Sequence, residues 1–331
     1  MDRLKNNKLK LLYRRLNIPG IAYSTVIFFF FFCIITDWRI ATPANIILIL
    51  RNSAVLILAS IGMNMVILVS QVDISIGPVM SLTGAGVAVI LNSGMNLGVS
   101  LAAGLLTGMA VGLINGILVA VFKFDYWITT FATMGICSGL ALVVADGGTV
   151  LISDDVFNWL GNGKIAGVYV MLYITVFIVA FVLFVLRKTK FGYNIYSIGG
   201  SEISARLNGV NIIGNRIAVF ICSGFFASVA GIILSAMSSS ANPISGANYS
   251  FDAMAAVIIG GTSFDGGRGS LVGTVFGALM LRILANGLGC LNVPSTWQKA
   301  IIGFVIVAVL VADAVNTKRR KVRDARRVYA R

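Results

Sequence analysis

The chain has 331 residues, 58% of them hydrophobic and only 11% charged, with a mean hydropathy of +0.93. Soluble domains carry about 25% charged residues, so a water-soluble fold is excluded. The lack of histidine, with only 12 acidic residues, leaves few groups for acid–base catalysis. The net charge of +14 belongs mostly to two tails and one loop, which argues against a nucleic-acid-binding face.

A basic tail at 1–20, with Arg3, Lys5, Lys8, Lys10, Arg14 and Arg15, precedes the first apolar run. That run ends at Asp37-Trp38-Arg39 without a small-residue cleavage site, so it reads as a retained helix rather than a signal peptide. Crossing a bilayer core of about 30 Å takes roughly 20 helical residues. The apolar runs do not alternate with period two, which leaves helices rather than a barrel. The runs fall at 21–36, 46–69, 74–92, 97–121, 128–145, 168–186, 216–237, 252–264, 269–291 and 297–315. They predict an all-α polytopic transmembrane helical bundle of about ten spans. The segment at 252–264 is too short to cross alone and reads as a half-helix or re-entrant piece.

An even number of crossings puts both termini on one side. All but five of the 26 Lys and Arg then lie on that side, the exceptions being Arg39, Arg51, Lys164, Arg282 and Lys299. The positive-inside rule makes it the cytoplasmic side. The chain thus divides into an N-tail at 1–20, a membrane domain at 21–315 with an inner loop at 187–216, and a basic C-tail at 316–331.

Several features within the membrane domain stand out. Gly104, Gly108, Gly112 and Gly116 recur every four residues along one helical face, which permits close helix–helix approach, within the chain or at a subunit interface. Gly273 and Gly277 repeat the pattern on a smaller scale. Asn64, Asn115, Asn286 and Arg282 are polar groups at membrane depth and must face protein or a water-filled cavity. For the asparagines, interhelical hydrogen bonding and pathway lining both stand. Asp252 and Asp313 lie near the ends of their runs, so Arg282 has no evident acidic partner at its depth. Cys33, Cys137, Cys222 and Cys290 sit in apolar runs without metal-type spacing and read as small hydrophobes; no metal site is predicted.

Two inner-side turns echo one another: Asp73 is followed by Gly77 and Ser81, and Asp265 by Gly269 and Gly273, each at intervals of four. Transporters often contain internal repeats, though two short matches also arise by chance. The second turn includes Gly260, Gly261, Gly266, Gly267, Arg268 and Gly269. It lacks the Gly-Lys-Ser/Thr ending and the strand-turn-helix setting of a phosphate loop, and a tight glycine turn accounts for it better. In the inner loop, Ser201 can cap a short helix that Gly209 ends, with Glu202 near its positive pole. Such a helix is either a membrane-surface rest or a docking knob for a soluble partner.

Four stretches in order, Val72 to Gly77, Phe191-Gly192 through Gly199-Gly200, Ala205 to Gly209, and Ile259-Gly260-Gly261 through Gly266-Gly267-Arg268-Gly269-Ser270, resemble the permease subunits of ribose-type sugar ABC importers. The resemblance covers most of the chain, with Gln71 where many relatives carry glycine and Ser201-Glu202 replacing a more usual Asn-containing stretch. It implies a transport subunit of a bacterial inner membrane, without a catalytic site or bound cofactor of its own. A monosaccharide or related small polar solute would enter through a permease dimer of identical or related chains. A cytoplasmic partner would hydrolyse ATP with Mg, and a periplasmic solute-binding protein would deliver the solute. Ser201, Glu202, Ala205, Arg206, Leu207, Asn208 and Gly209 then become the coupling helix. Rival readings are a permease for branched-chain amino acids or nucleosides, and a stand-alone ion-driven transporter.

Overall fold

The computed structural model describes residues 20–294, together with 296–298, 300–305, 307–308 and 311. Gly20 apart, both basic tails lie outside the described residues, and the tenth predicted run, 297–315, lies partly outside them. The helices are α1 (Gly20–Ile35), α2 (Pro43–Leu68), α3 (Ile76–Asn92), α4 (Leu97–Ala120), α5 (Tyr126–Val144), α6 (Asp155–Asn162) and α7 (Val170–Lys188). They continue with α8 (Lys190–Gly200), α9 (Glu202–Leu207), α10 (Ile212–Ser238), α11 (Tyr249–Ile259) and α12 (Leu271–Cys290). By length and composition α2, α4, α5, α7, α10 and α12 can cross a membrane, whereas α1, α3 and α11 are shorter apolar helices.

Local chemistry explains many of the starts. Proline opens the first turn of α2, where its missing N–H costs nothing. Side-chain oxygens cap the free N–H groups of α4 (Asn96), α5 (Asp125), α6 (Asp154), α10 (Asn211) and α12 (Ser270). Burial sorts the helices further. From Ser53 to Leu68 every residue of α2 is buried, as is all of α3 from Ile76 to Ala85. These helices are apolar all round because they have protein on every side. By contrast α1 and α7 expose Ile27, Phe30, Ile34, Val176, Phe177 and Phe184, the surface expected to meet lipid.

α2 and α10 run antiparallel through the centre. Gly62 of α2 lies against Ser223 near the middle of α10, while the end of α2 lies against Gly199 of α8. From there the chain turns back, and α3 starts level with Ser223, running beside α10 so that Met80 meets Gly231 and Gly84 meets Ser235. The second half repeats this plan upside down. After α10 the chain pairs briefly through β4 (Ser240–Ala241) with β1 (Val150–Leu151), turns back, and starts the short α11 where Gly246 meets Gly77. α3 and α11 are therefore broken helices leaving one central point in opposite directions, an inverted repeat. The turn containing Asp73 corresponds structurally to 239–248, not to the glycine turn at 260–269 that it echoes in sequence.

The glycine stripe of α4 lies against α10 in the same chain. Gly108 meets Gly224 and Ser228, Gly112 meets the Phe220 carbonyl, and Gly116 meets Ile217, while Gly104 faces Val87 of α3. A methyl group at Gly108 or Gly112 would collide with the α10 backbone, which is why small residues are needed there. Gly273 and Gly277 of α12 approach Gly260 and Ala256 at the end of α11 in the same manner.

The end of the molecule carrying β1 and β4 also holds α6 and a hairpin of β2 (Lys164–Ile165) and β3 (Val168–Tyr169). Arg51 of α2 ties this layer down: its guanidinium donates to the Gly161 carbonyl at 3.2 Å and lies over the Tyr169 ring.

Candidate functional site

Two regions are built with more polar precision than packing alone demands. The first is the central crossing of α3 and α11. Asp73 is fully buried, and its carboxylate accepts from the Ser75 N–H (3.0 Å), the Ser75 hydroxyl (2.5 Å) and the Ser223 hydroxyl of α10 (2.7 Å). Asn115 of α4 donates to Ser75 Oγ at 3.0 Å and accepts from Thr133 of α5 at 2.7 Å. One continuous network thus joins α5, α4, the start of α3, and α10.

Both helix starts are stitched together beside it. The Gly77 N–H donates to Ser250 Oγ of α11 at 2.9 Å, the Ser250 hydroxyl donates to the Ile74 carbonyl at 2.6 Å, and the Gly246 N–H donates to Ser81 Oγ at 2.8 Å. A side chain on Gly77 would strike the Gly246 carbonyl, and one on Gly246 would strike that of Gly77. Asp73 and Gly77, expected in an inner-side turn, therefore lie at mid-bundle depth.

Asn64 and Asn115 lie inside the bundle, at membrane depth as expected. Both are wholly buried, and Asn64 donates to Thr262 and Thr274, each at 3.0 Å. Their polar groups hydrogen-bond between helices. Arg282, expected to lack an acidic partner, has one: its guanidinium meets Asp252 at 3.1 Å, with side chains 17% and 19% exposed. Because α11 starts at mid-depth, its first-turn Asp252 falls beside the middle of α12.

The second region is the end carrying α8 and α9. Ser201 caps α9 by accepting from the Ser204 N–H, and Gly209 ends it with a φ of 75°. The Val210 N–H returns to the Ala205 carbonyl at 3.0 Å, and Ala205 alone of the α9 residues is buried. Glu202 bridges Arg206 (3.1 Å) and Arg216 (2.6 Å), while Asn208 donates to the Ser204 carbonyl. Ile203 and Leu207, one turn apart, are 75% and 83% exposed. Two bare aliphatic side chains on a short, charge-pinned helix form a knob suited to an apolar socket.

The glycine turn joins this knob to the core. The Gly267 N–H donates to the Leu68 carbonyl at 2.9 Å, and the Ser70 hydroxyl to the Asp265 carbonyl at 2.6 Å. Gly199 packs backbone to backbone against both Leu68 and Gly267, and Gly267 takes a φ of 65° against Gly200. Gly260, Gly261, Gly266 and Gly269 shape the same turn, whose Arg268 is exposed. The end of α2, the turn before α12 and the helix leading into α9 thus touch at one spot.

Sequence reasoning did not find Ser223, Ser250, Thr133 or Gly246 as partners. Ser223 lies 150 residues from Asp73, and nothing local to either announces the pairing.

Comparison with known proteins adds to the geometry. Residues 45–310 match the family described as branched-chain amino acid transport system / permease component. The chain is 36% identical over 282 residues to a ribose import permease protein of Haemophilus influenzae, covering 83% of this chain and 87% of that protein. It is 38% identical over 276 residues to one of Escherichia coli K12, covering 82% and 86%. With one of Bacillus subtilis the identity is 35% over 319 residues, covering 94% and 98%.

Proposed function

The chain belongs to the permease-component family of branched-chain amino acid transport systems, and from that premise we propose that it is the membrane-spanning subunit of an ABC importer for a monosaccharide or related small polyol. The observation that carries the solute class is the 35–38% identity to ribose import permeases over more than four-fifths of the chain.

In this reading the Glu202 end is cytoplasmic, both termini lie on that side, and ten segments enter the membrane of a bacterial cell. Two permease chains pair, a cytoplasmic partner hydrolyses ATP with Mg, and a solute-binding protein docks on the face with β1 and α6. The α9 knob sits in the ATPase. Its movement reaches the core through Gly199 and Gly200, which press on Gly267 and on the end of α2. The broken helices, joined by Gly77, Gly246 and Ser250, give the two halves a hinge at mid-depth. No bond of the solute is made or broken; this chain supplies a gated path and a linkage.

Mild detergent purification from native membranes tests the reading. An ATPase and a binding protein that co-purify support it. A chain that remains alone yet transports in liposomes under an ion gradient would replace it with a secondary transporter.

A further inference from the structure

A groove of about 580 Å³ opens between α2, α12 and the residues linking α1 to α2. Its size falls within the roughly 300–1,000 Å³ of small-molecule sites. Asn45 and Asn52 lie on one wall and Arg282 and Asn286 on the other, with Arg39 also lining it and Cys290 at one end. Asn45 and Asn52 are seven residues apart, two turns along one face of α2.

Asparagine and arginine side chains within two long apolar helices are not a surface that lipid can cover. Elsewhere the large exposed side chains of the spans are mostly Phe, Ile, Leu and Val. No described residue fills the groove, which leaves it open to water.

Its chemistry is selective. The Asn286 amide donates to Asn45 Oδ1 at 3.4 Å, and Cys290 Sγ lies 3.6 Å from both side chains. The Asn52 carboxamide has no hydrogen-bond partner among the described residues, nor has the buried Arg282 Nε–H. A carboxamide offers both donors and an acceptor, which is what a hydroxyl group needs. The Arg282 charge is already matched by Asp252, so the deep end of the groove does not call for an anion.

We infer that this groove is a contact station for a neutral, polyhydroxylated solute within the membrane chain, with Asn52 and Asn286 as its hydroxyl-binding groups. The inference rests on the importer reading for its solute class and adds a site to it.

Cys290 supplies the test. Right-side-out membrane vesicles containing the native chain are treated with a charged, membrane-impermeant methanethiosulfonate, and mass spectrometry locates the label. Cys33 and Cys137, both buried, serve as internal negatives. Cys290 is expected to react, and D-ribose or xylitol to slow the reaction about twofold at a concentration equal to its Kd. L-Leucine is expected to leave the rate unchanged. In Asn52→Leu and Asn286→Leu, Cys290 should still react, which shows that the groove has formed, but protection by the polyols should disappear.

An unreactive Cys290 overturns the inference, as does labelling that no polyol slows or that leucine slows equally. The outcome is separable from the importer reading: polyol protection without a co-purifying ATPase would leave the groove and remove the ATP drive, and the reverse result would do the opposite.

Discussion

Arg282 and Asp252 meet at 3.1 Å across the α11–α12 interface, each side chain more than four-fifths buried, because a helix begins where an unbroken span would be half crossed. Tyr249, one turn before Asp252, lies with its ring 5.2 Å from the same guanidinium. Removing one partner strands a buried charge, which costs about 3–5 kcal/mol, whereas replacing both with apolar groups is often neutral. Asp252→Leu and Arg282→Met should each lower the unfolding midpoint in detergent sharply, and the double variant should recover most of the loss. Additive losses in the double variant would show that the two side chains are not coupled.

The α4–α10 contact offers a contrast between glycines. A methyl at Gly224 would strike the Gly108 carbonyl, whereas nothing lies within 4 Å of one at Gly135 or Gly139 of α5. Gly224→Ala should cost about 1–3 kcal/mol or more through overpacking, read as a loss of monodisperse protein on size exclusion. Gly135→Ala and Gly139→Ala should leave the profile unchanged. Equal behaviour of all three would mean that the close approach of α4 and α10 is not needed for folding.

Asp73 accepts from three donors. Asp73→Ala leaves the Ser75 N–H and two hydroxyls unsatisfied, at about 1–3 kcal/mol for each buried group. Ser223→Ala removes one donor from a carboxylate that keeps two. Thermal midpoints should therefore fall in the order wild type, Ser223→Ala, Asp73→Ala. An Asp73→Ala variant as stable as wild type contradicts the structural role of the network.

At the α9 knob, the apolar contacts should matter more than the ion pair. Glu202 and Arg206 are well exposed, and such pairs contribute about 1 kcal/mol or less. Ile203→Asp and Leu207→Asp should each weaken retention of the ATPase by about 2 kcal/mol, roughly 30-fold, without reducing the yield of folded chain. The triple variant Glu202→Ala, Arg206→Ala and Asn208→Ala should insert normally but separate uptake from ATP hydrolysis. Both are checked by pull-down and vesicle uptake, and normal coupled uptake in the triple variant would remove α9 from the coupling role.

The sequence by itself determined the helical, membrane-spanning character of this protein and the local ends of many helices. Apolar run length, the Asn96, Asp125, Ser201 and Ser270 caps and the Gly209 stop all act within a few residues, so a window of sequence contains their cause. Asn64 and Asn115 were recognisable as costly polar groups, but which way they faced was not. Only the tertiary structure decided the depth of each piece. Gly77 against Gly246, Asp73 with Ser223 and Asp252 with Arg282 join segments far apart in the chain, and backbone approach at those glycines sets where α3 and α11 begin. Depth follows from contacts between distant segments, and hydropathy along a single run carries no record of them.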